Sequence, residues 1–280
     1  MPILGAHVSV AGGLYKAFAN AQSIGAQALQ IFGASPRQWN AKLIDPEVLE
    51  KYNKAKVEEW PVFQHASYLP NLATPDEELY QKSIKNLTLH MQIAEALGSV
   101  GLIYHIGSYK NSDAITAAKR ISDGMHQVLK NSHGKANLIM ENAAGGGNKM
   151  GLTPEEIGII YQINPHPRIK VCIDTAHAFG AGVLETYSPE ELNKFKNDCD
   201  KSFGLENLIV LHVNDSKVPF NSQKDRHENI GEGHIGLAAF QNLADDKFFS
   251  TIPWLLEVPG FDGEGPDKEN MDIIKSLFKK

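Results

Sequence analysis

Short apolar, β-branched runs recur along this chain at residues 3–9, 28–32, 62–67, 100–106, 137–143, 169–175, 208–214 and 254–258. The segments between them carry helical spacing. Ile84, Leu87, Met91 and Ala94 step by three and four toward Gly98, a suitable C-cap. Thr153-Pro154-Glu155-Glu156 and Ser188-Pro189-Glu190-Glu191 each set a capping hydroxyl, a proline and two acids at a helix start. The helix before the last run, around residues 237–243, is the weakest. Strands that alternate with helices pair in parallel, because a parallel pair needs a crossover. Eight such units in 280 residues, with no linker or low-complexity tract between them, predict an α/β fold. The expected form is a closed (β/α)8 TIM barrel, read as one domain over residues 1–280.

Six of the runs share a further pattern. A residue able to bind metal stands near the end, and a small or apolar residue stands two positions earlier. The pairs are Phe63/His65, Ile103/His105, Ile139/Glu141, Cys172/Asp174, Val210/His212 and Leu255/Glu257. Residues at i and i+2 on a strand share a face. In a barrel the apolar member can fill the interior, and the polar member then stands at the C-terminal mouth, where barrel enzymes place their chemistry. One histidine closing a strand is ordinarily a packing or surface residue. Six such residues in phase are not, since buried carboxylates need counter-charge and no basic residue recurs in these strands. Metal ions are the natural counter-charge. His177, three residues after Asp174, and the pair Asp225 and His227 in a loop extend the set to five histidines and four carboxylates. Nitrogen and oxygen donors without thiolate suit zinc, manganese or ferrous iron, and nine donors exceed one tetrahedral site. His7, two residues after Gly5, also falls at the mouth, as a supporting or a structural residue. His90 and His126 lie in helical segments, and His133 and His166 in loops, all with structural readings. Gly145-Gly146-Gly147 reads either as a phosphate nest or as a turn that needs positive φ.

The formal charge is −6, which alone argues against a nucleic-acid partner. Three divalent ions would cancel it. Two cysteines without a CxxC pair exclude both a disulfide framework and a thiolate zinc finger. The N-terminus lacks the basic flank and apolar core of a signal peptide, and no run is long enough to span a membrane. The expectation is a soluble cytoplasmic protein without membrane partners.

The segments GAHVSVAGG (5–13), RQW (37–39), HASYL (65–69), HIGS (105–108), ENAAGGG (141–147), VCIDTAHAFGAG (171–182), HVNDSK (212–217), DRHENIGEGHIG (225–236) and LLEVP (255–259) together resemble the endonuclease IV family of zinc-dependent apurinic/apyrimidinic endonucleases. The resemblance covers nearly the whole chain. It implies a TIM barrel with three zinc ions, one site also accepting manganese. His65 and His105 would hold the first ion, with Glu141 bridging to a second completed by Asp174, His212 and Glu257. His177, Asp225 and His227 would hold the third. The implied reaction is hydrolysis of the phosphodiester 5′ to an abasic site in duplex DNA, by a hydroxide held between the first two ions, leaving a 3′-hydroxyl. Removal of 3′-blocking groups is an implied side activity. Glu141 would orient the nucleophile and Glu257 take part in proton transfer. Arg37, Tyr68 and Leu69 match the family's groove-wedging positions. Ile106, Gly146 and Val258 stand where the family commonly has proline, glutamine and threonine, Ala176 where cysteine is common, and Pro70 where an aliphatic residue is common. None of these removes a ligand. Two other readings compete: a sugar isomerase or epimerase of the xylose-isomerase-like barrels, and a damage-binding protein without turnover. A monomer is the simpler expectation, since duplex DNA must reach an open mouth.

Overall fold

The computed structural model describes residues 1–279. In chain order the elements are β1 (Leu4–His7), α1 (Lys16–Ser23), β2 (Ala28–Phe32), α2 (Pro46–Ala55), β3 (Val62–His65), α3 (Glu77–Ala96), β4 (Gly101–His105), α4 (Ala114–Asn131) and β5 (Asn137–Glu141). There follow α5 (Pro154–Ile163), β6 (Ile169–Asp174), α6 (Thr175–Gly180), α7 (Pro189–Phe203), β7 (Leu208–His212), β8 (Asp215–Ser216), β9 (His227–Glu228), α8 (Leu237–Asp245), β10 (Trp254–Leu256) and α9 (Lys268–Ser276). Strands β1 to β7 and β10 close a parallel barrel in the order β1-β10-β7-β6-β5-β4-β3-β2. The fold is the (β/α)8 barrel expected from the alternation.

Local chemistry sets the element ends. The Thr153 hydroxyl accepts from the Glu156 amide and caps α5, and the Ser188 hydroxyl does the same for Glu191 at the start of α7. Gly98, just beyond α3, takes φ +61°. Several strands are shorter than the apolar runs suggest. Beyond β3 and β7 the ladder continues for one more bond, from Ala66 N to Ile103 O at 2.8 Å and from Val213 N to Leu255 O at 2.9 Å, and the chain then turns into the mouth loops.

The core has two parts. A large outer layer lies between barrel and helices. A smaller plug inside the barrel consists of Ala28, Phe63, Ile103, Ile139, Cys172, Val210 and Leu255, all essentially inaccessible. Strand β1 contributes Gly5 at this level, because a Cβ there would come within 2.5 Å of the Ala28 carbonyl oxygen. The apolar members of the six i, i+2 pairs are therefore all in the plug. No helix among the described residues is long and apolar enough to cross a membrane.

Candidate metal centre

Two residues beyond the plug, every barrel strand delivers a polar side chain to the mouth: His7, Gln30, His65, His105, Glu141, Asp174, His212 and Glu257. Two short excursions add the rest. Asp174 caps α6 by accepting from the His177 amide at 2.8 Å, and the helix so begun carries His177 into the site. The β8–β9 hairpin pairs Ser216 with His227 and positions the second excursion. Its fold is fixed by the buried Asp215 carboxylate, which accepts from the amides of Ser216, Gly231, Gly233, Ile235 and Gly236.

The nine expected donors converge. The ligand atoms of His65, His105 and Glu141 lie within 4.8 Å of one another, as do those of Glu141, Asp174, His212 and Glu257, and those of Asp174, His177 and His227. Asp225 joins the last group, with Oδ2 3.2 Å from His177 Nε2 and Oδ1 3.4 Å from His227 Nε2. Asp174 faces both the second and third groups, since its Oδ2 is 4.0 Å from His212 Nδ1 and 3.5 Å from His227 Nε2. Glu141 divides its oxygens: Oε2 faces His65 at 3.1 Å and His105 at 3.2 Å, and Oε1 faces His212 at 3.0 Å.

The donors also fit a metal in their hydrogen bonding. A ligating imidazole offers one nitrogen to the ion and donates the other N–H to a fixed acceptor. His65 Nδ1 lies 2.8 Å from Ala66 O, His177 Nδ1 2.9 Å from Asn142 O, and His227 Nδ1 3.2 Å from Glu257 O. His212 is held the other way round, with Nε2 2.7 Å from Gln30 Oε1. The inward nitrogens of His177 and His227 are buried and make no hydrogen bond, although carboxylate oxygens lie within 3.5 Å of each. Lone pairs and oxygens aimed at shared space suit a cation between them. Among the described residues, Glu141, Asp174, Asp225 and Glu257 form ion pairs with histidine alone, never with lysine or arginine.

The electrostatics carry the same message. Burial opposes charge on His177, Glu141 and Asp225, yet attraction between rings and carboxylates prevails at each. Burial acts to lower the His177 pKa, but Asp174, Asp225 and Glu141 push it up to about 10. Burial acts to raise Glu141 and Asp225, but the surrounding histidines pull both below the ordinary carboxylate range. The buried carboxylates thus favour positive charge in the site, which is what divalent ions would supply.

Sequence reasoning missed three residues that hold these donors. Gln30 bonds His212 and Glu257. Asn142 accepts from the Asp174 amide at 2.6 Å, and Asn214 donates to Asp174 Oδ2 at 2.6 Å while accepting from the Glu257 amide at 2.7 Å. Gln30 had a signal, since it stands two residues after Ala28 on the pattern of the other pairs. The asparagines lie just past strand ends and follow no such period. His7 Nδ1 is 3.4 Å from Glu257 Oε1, a supporting position. Gly145, Gly146 and Gly147 all take positive φ, as the turn reading requires. His90 is buried in α3, where burial lowers its pKa to about 4.

Around the donors lies a cavity of about 370 Å³ lined by His65, Tyr68, His105, His177, Asp225, Arg226, His227 and Glu257. Beside it a larger recess, about 760 Å³ and walled by Val8, Val10, Phe32 and Val258, shares Tyr68 and Glu257. Tyr68 stands at the rim 60% exposed, edge-on to Phe32. Its amide donates to Pro36 O at 3.1 Å, which ties the loop of Tyr68 and half-buried Leu69 to that of exposed Arg37.

Residues 18–277 match the family model described as xylose isomerase-like TIM barrel. A protein of Halothermothrix orenii named Probable endonuclease 4 is 38% identical over 97% of this chain and 99% of its own length. Its namesake in Aquifex aeolicus is 36% identical over 100% of this chain and 99% of its own length. The chain belongs to the endonuclease IV family. Endonuclease IV from Thermus thermophilus superposes with a TM-score of 0.85 at 29% identity, covering 99% of this chain and 98% of that one. A D-tagatose 3-epimerase-like protein, at 15% identity, 98% and 96% coverage and a TM-score of 0.73, shares the barrel fold. As a member of the endonuclease IV family the protein is an enzyme, a hydrolase of the nuclease class.

Proposed function

We propose that this enzyme hydrolyses the phosphodiester 5′ to an abasic site in duplex DNA and leaves a 3′-hydroxyl, with removal of 3′-blocking groups as a side activity. It would use three zinc ions, one site also accepting manganese, and act as a cytoplasmic monomer. The observation that carries the reading is the convergence of five histidines and four carboxylates on one mouth, grouped as three sets and unpaired with lysine or arginine. His65, His105 and Glu141 would hold the first ion. Glu141, Asp174, His212 and Glu257 would hold the second, and His177, Asp225 and His227 the third. Divalent ions held there would acidify water and neutralise charge on the phosphate and the departing oxygen.

The two catalytic carboxylates differ in access. Glu141 is sealed, whereas the Glu257 side chain is 17% exposed to the cavity. Glu141 therefore orients, and Glu257 is the carboxylate able to exchange a proton with solvent. Tyr68, Leu69 and Arg37 would fill the gap left by the missing base, where the unstacked duplex bends at least cost. The relatives named endonuclease 4 support the nuclease reading. Two buried free thiols accord with a reducing compartment.

The test is a duplex oligonucleotide carrying one abasic analogue. The zinc-loaded enzyme should cut it once, 5′ to the lesion, and prolonged chelation should abolish cutting. Glu141→Gln should nearly eliminate turnover while binding to the same duplex persists. An intact duplex, together with isomerisation of a free sugar, would overturn the reading in favour of an epimerase-type enzyme.

A further inference from the structure

Gln30 is fully buried in the middle of β2, between β1 and β3, which end in His7 and His65. Its carboxamide has a donor end and an acceptor end, and the surroundings decide which points where. The Glu257 carboxylate can only accept, so the Gln30 NH2 group must face it, and Nε2 donates to Glu257 Oε1. The same nitrogen is 2.9 Å from His7 Nδ1. Oε1 is then left toward His212 Nε2, at 2.7 Å. An amide oxygen can only accept, so His212 Nε2 carries the hydrogen. The free lone pair of the ring falls on Nδ1, which faces Glu141 Oε1 at 3.0 Å and Glu257 Oε2 at 3.3 Å.

This arrangement is exceptional within the site. His65, His177 and His227 are oriented by backbone carbonyls and present Nε2. His212 is oriented by a side chain and presents Nδ1. The other end of the same side chain occupies Glu257 Oε1 and leaves Oε2 toward the second donor group. One carboxamide thus sets both the tautomer of one ligand and the free oxygen of another.

We propose that Gln30 is a positioning residue for the second metal site, selecting Nδ1 of His212 and Oε2 of Glu257 as the ligating atoms. The inference rests on the metal reading above. Removing a partner of this kind costs about 10–100-fold in metal affinity.

The test compares the whole chain with Gln30→Met, which keeps the volume but neither hydrogen bond, and Gln30→Glu, which keeps an acceptor for His212. Zinc affinity is measured by chelator competition. The ligating nitrogen is read by NMR of 15N-histidine in the cadmium-113-loaded protein. The wild-type chain should couple cadmium to Nδ1 of His212 and to Nε2 of the other four ligand histidines, with a protected Nε2–H on His212. Gln30→Met should weaken one ion by about 10–100-fold and lose that protected proton, and Gln30→Glu should restore the proton. Wild-type affinity and an unchanged His212 signal in Gln30→Met would overturn the proposal, as would Gln30→Glu without the proton or cadmium on His212 Nε2 in the wild-type chain. A wild-type chain that takes up no zinc would overturn the metal reading and this proposal with it.

Discussion

Replacing Asp215 with asparagine should loosen the third donor group without touching a donor. The Asp215 carboxylate is inaccessible and gathers five amides, from Ser216 at 2.7 Å, Gly231 and Ile235 at 2.9 Å, and Gly233 and Gly236 at 3.2 Å. Three of these amides, Gly231, Gly233 and Gly236, converge on Oδ2. Asparagine keeps one oxygen and turns the other position into a donor, so even with the oxygen at the Oδ2 position the N–H groups of Ser216 and Ile235 lose their acceptor and meet an NH2 group instead. Each lost bond to a charged acceptor is worth about 1.5–3 kcal/mol. Part of that returns because a buried charge no longer has to be desolvated. The net loss should be about 3–5 kcal/mol, in the range for breaking a buried charged contact. At roughly 2 °C per kcal/mol for a chain of this size, the thermal midpoint of the ion-free protein should fall by roughly 6–10 °C. Strand β8 pairs Asp215 with Glu228 and Ser216 with His227, so the damage reaches a proposed ligand. The variant should therefore also bind one zinc fewer per chain, as counted by elemental analysis after dialysis. A midpoint within about 1 °C of wild type, with the full complement of zinc, would refute the reasoning.

Tyr68→Ala should leave the melting curve within about 0.5 kcal/mol of wild type, because the ring is largely exposed. It should weaken binding to an abasic duplex by about 1–3 kcal/mol with little change for an intact duplex, as fluorescence titration would show. Acidity should act in opposite senses on the two partners of the third group. The folded pKa of His177, about 10, lies above its ordinary value of 6.5, so its pairing stabilises the ion-free chain fully below pH 6.5 and is lost as pH rises through 10. Asp225 lies below its ordinary 3.8, so its share is present above that value and lost on acidification. Calorimetry of the ion-free protein from pH 7 to 10 should show a falling midpoint, and a rising one would contradict the assignment.

Much of this site is legible in the sequence because a barrel strand has a period of two. Phe63 and His65, or Val210 and His212, cannot separate: if one fills the plug, the other must stand at the mouth. Gln30 obeys the same rule after Ala28, yet an amide carries no charge that demands an explanation, and the residue passes for strand filler. Asn142 and Asn214 act one or two residues past the ladder, where the backbone has left the strand and no period predicts which way a side chain turns. The division of donors into groups is not periodic either. Asp174 faces His212 because β6 and β7 pair the two in register, and it faces His227 because the β8–β9 hairpin carries that ring back to the mouth, two facts of packing and not of spacing.

The tautomers lie further still from the sequence, and they decide what the donors can do. His65 and His212 look equivalent, each closing a strand two residues after an apolar one. They differ in what stands behind the ring. His65 meets the carbonyl of Ala66, which any residue there would supply, whereas His212 meets the side chain of Gln30, which a substitution removes. A backbone acceptor persists through mutation and a side-chain acceptor does not. A substitution at β2, a strand with no expected ligand of its own, should therefore disturb the second ion more than most substitutions nearer to it in sequence. The strands that carry no metal ligand are thus part of the centre, because a rim of eight residues leaves no position without a neighbour to orient.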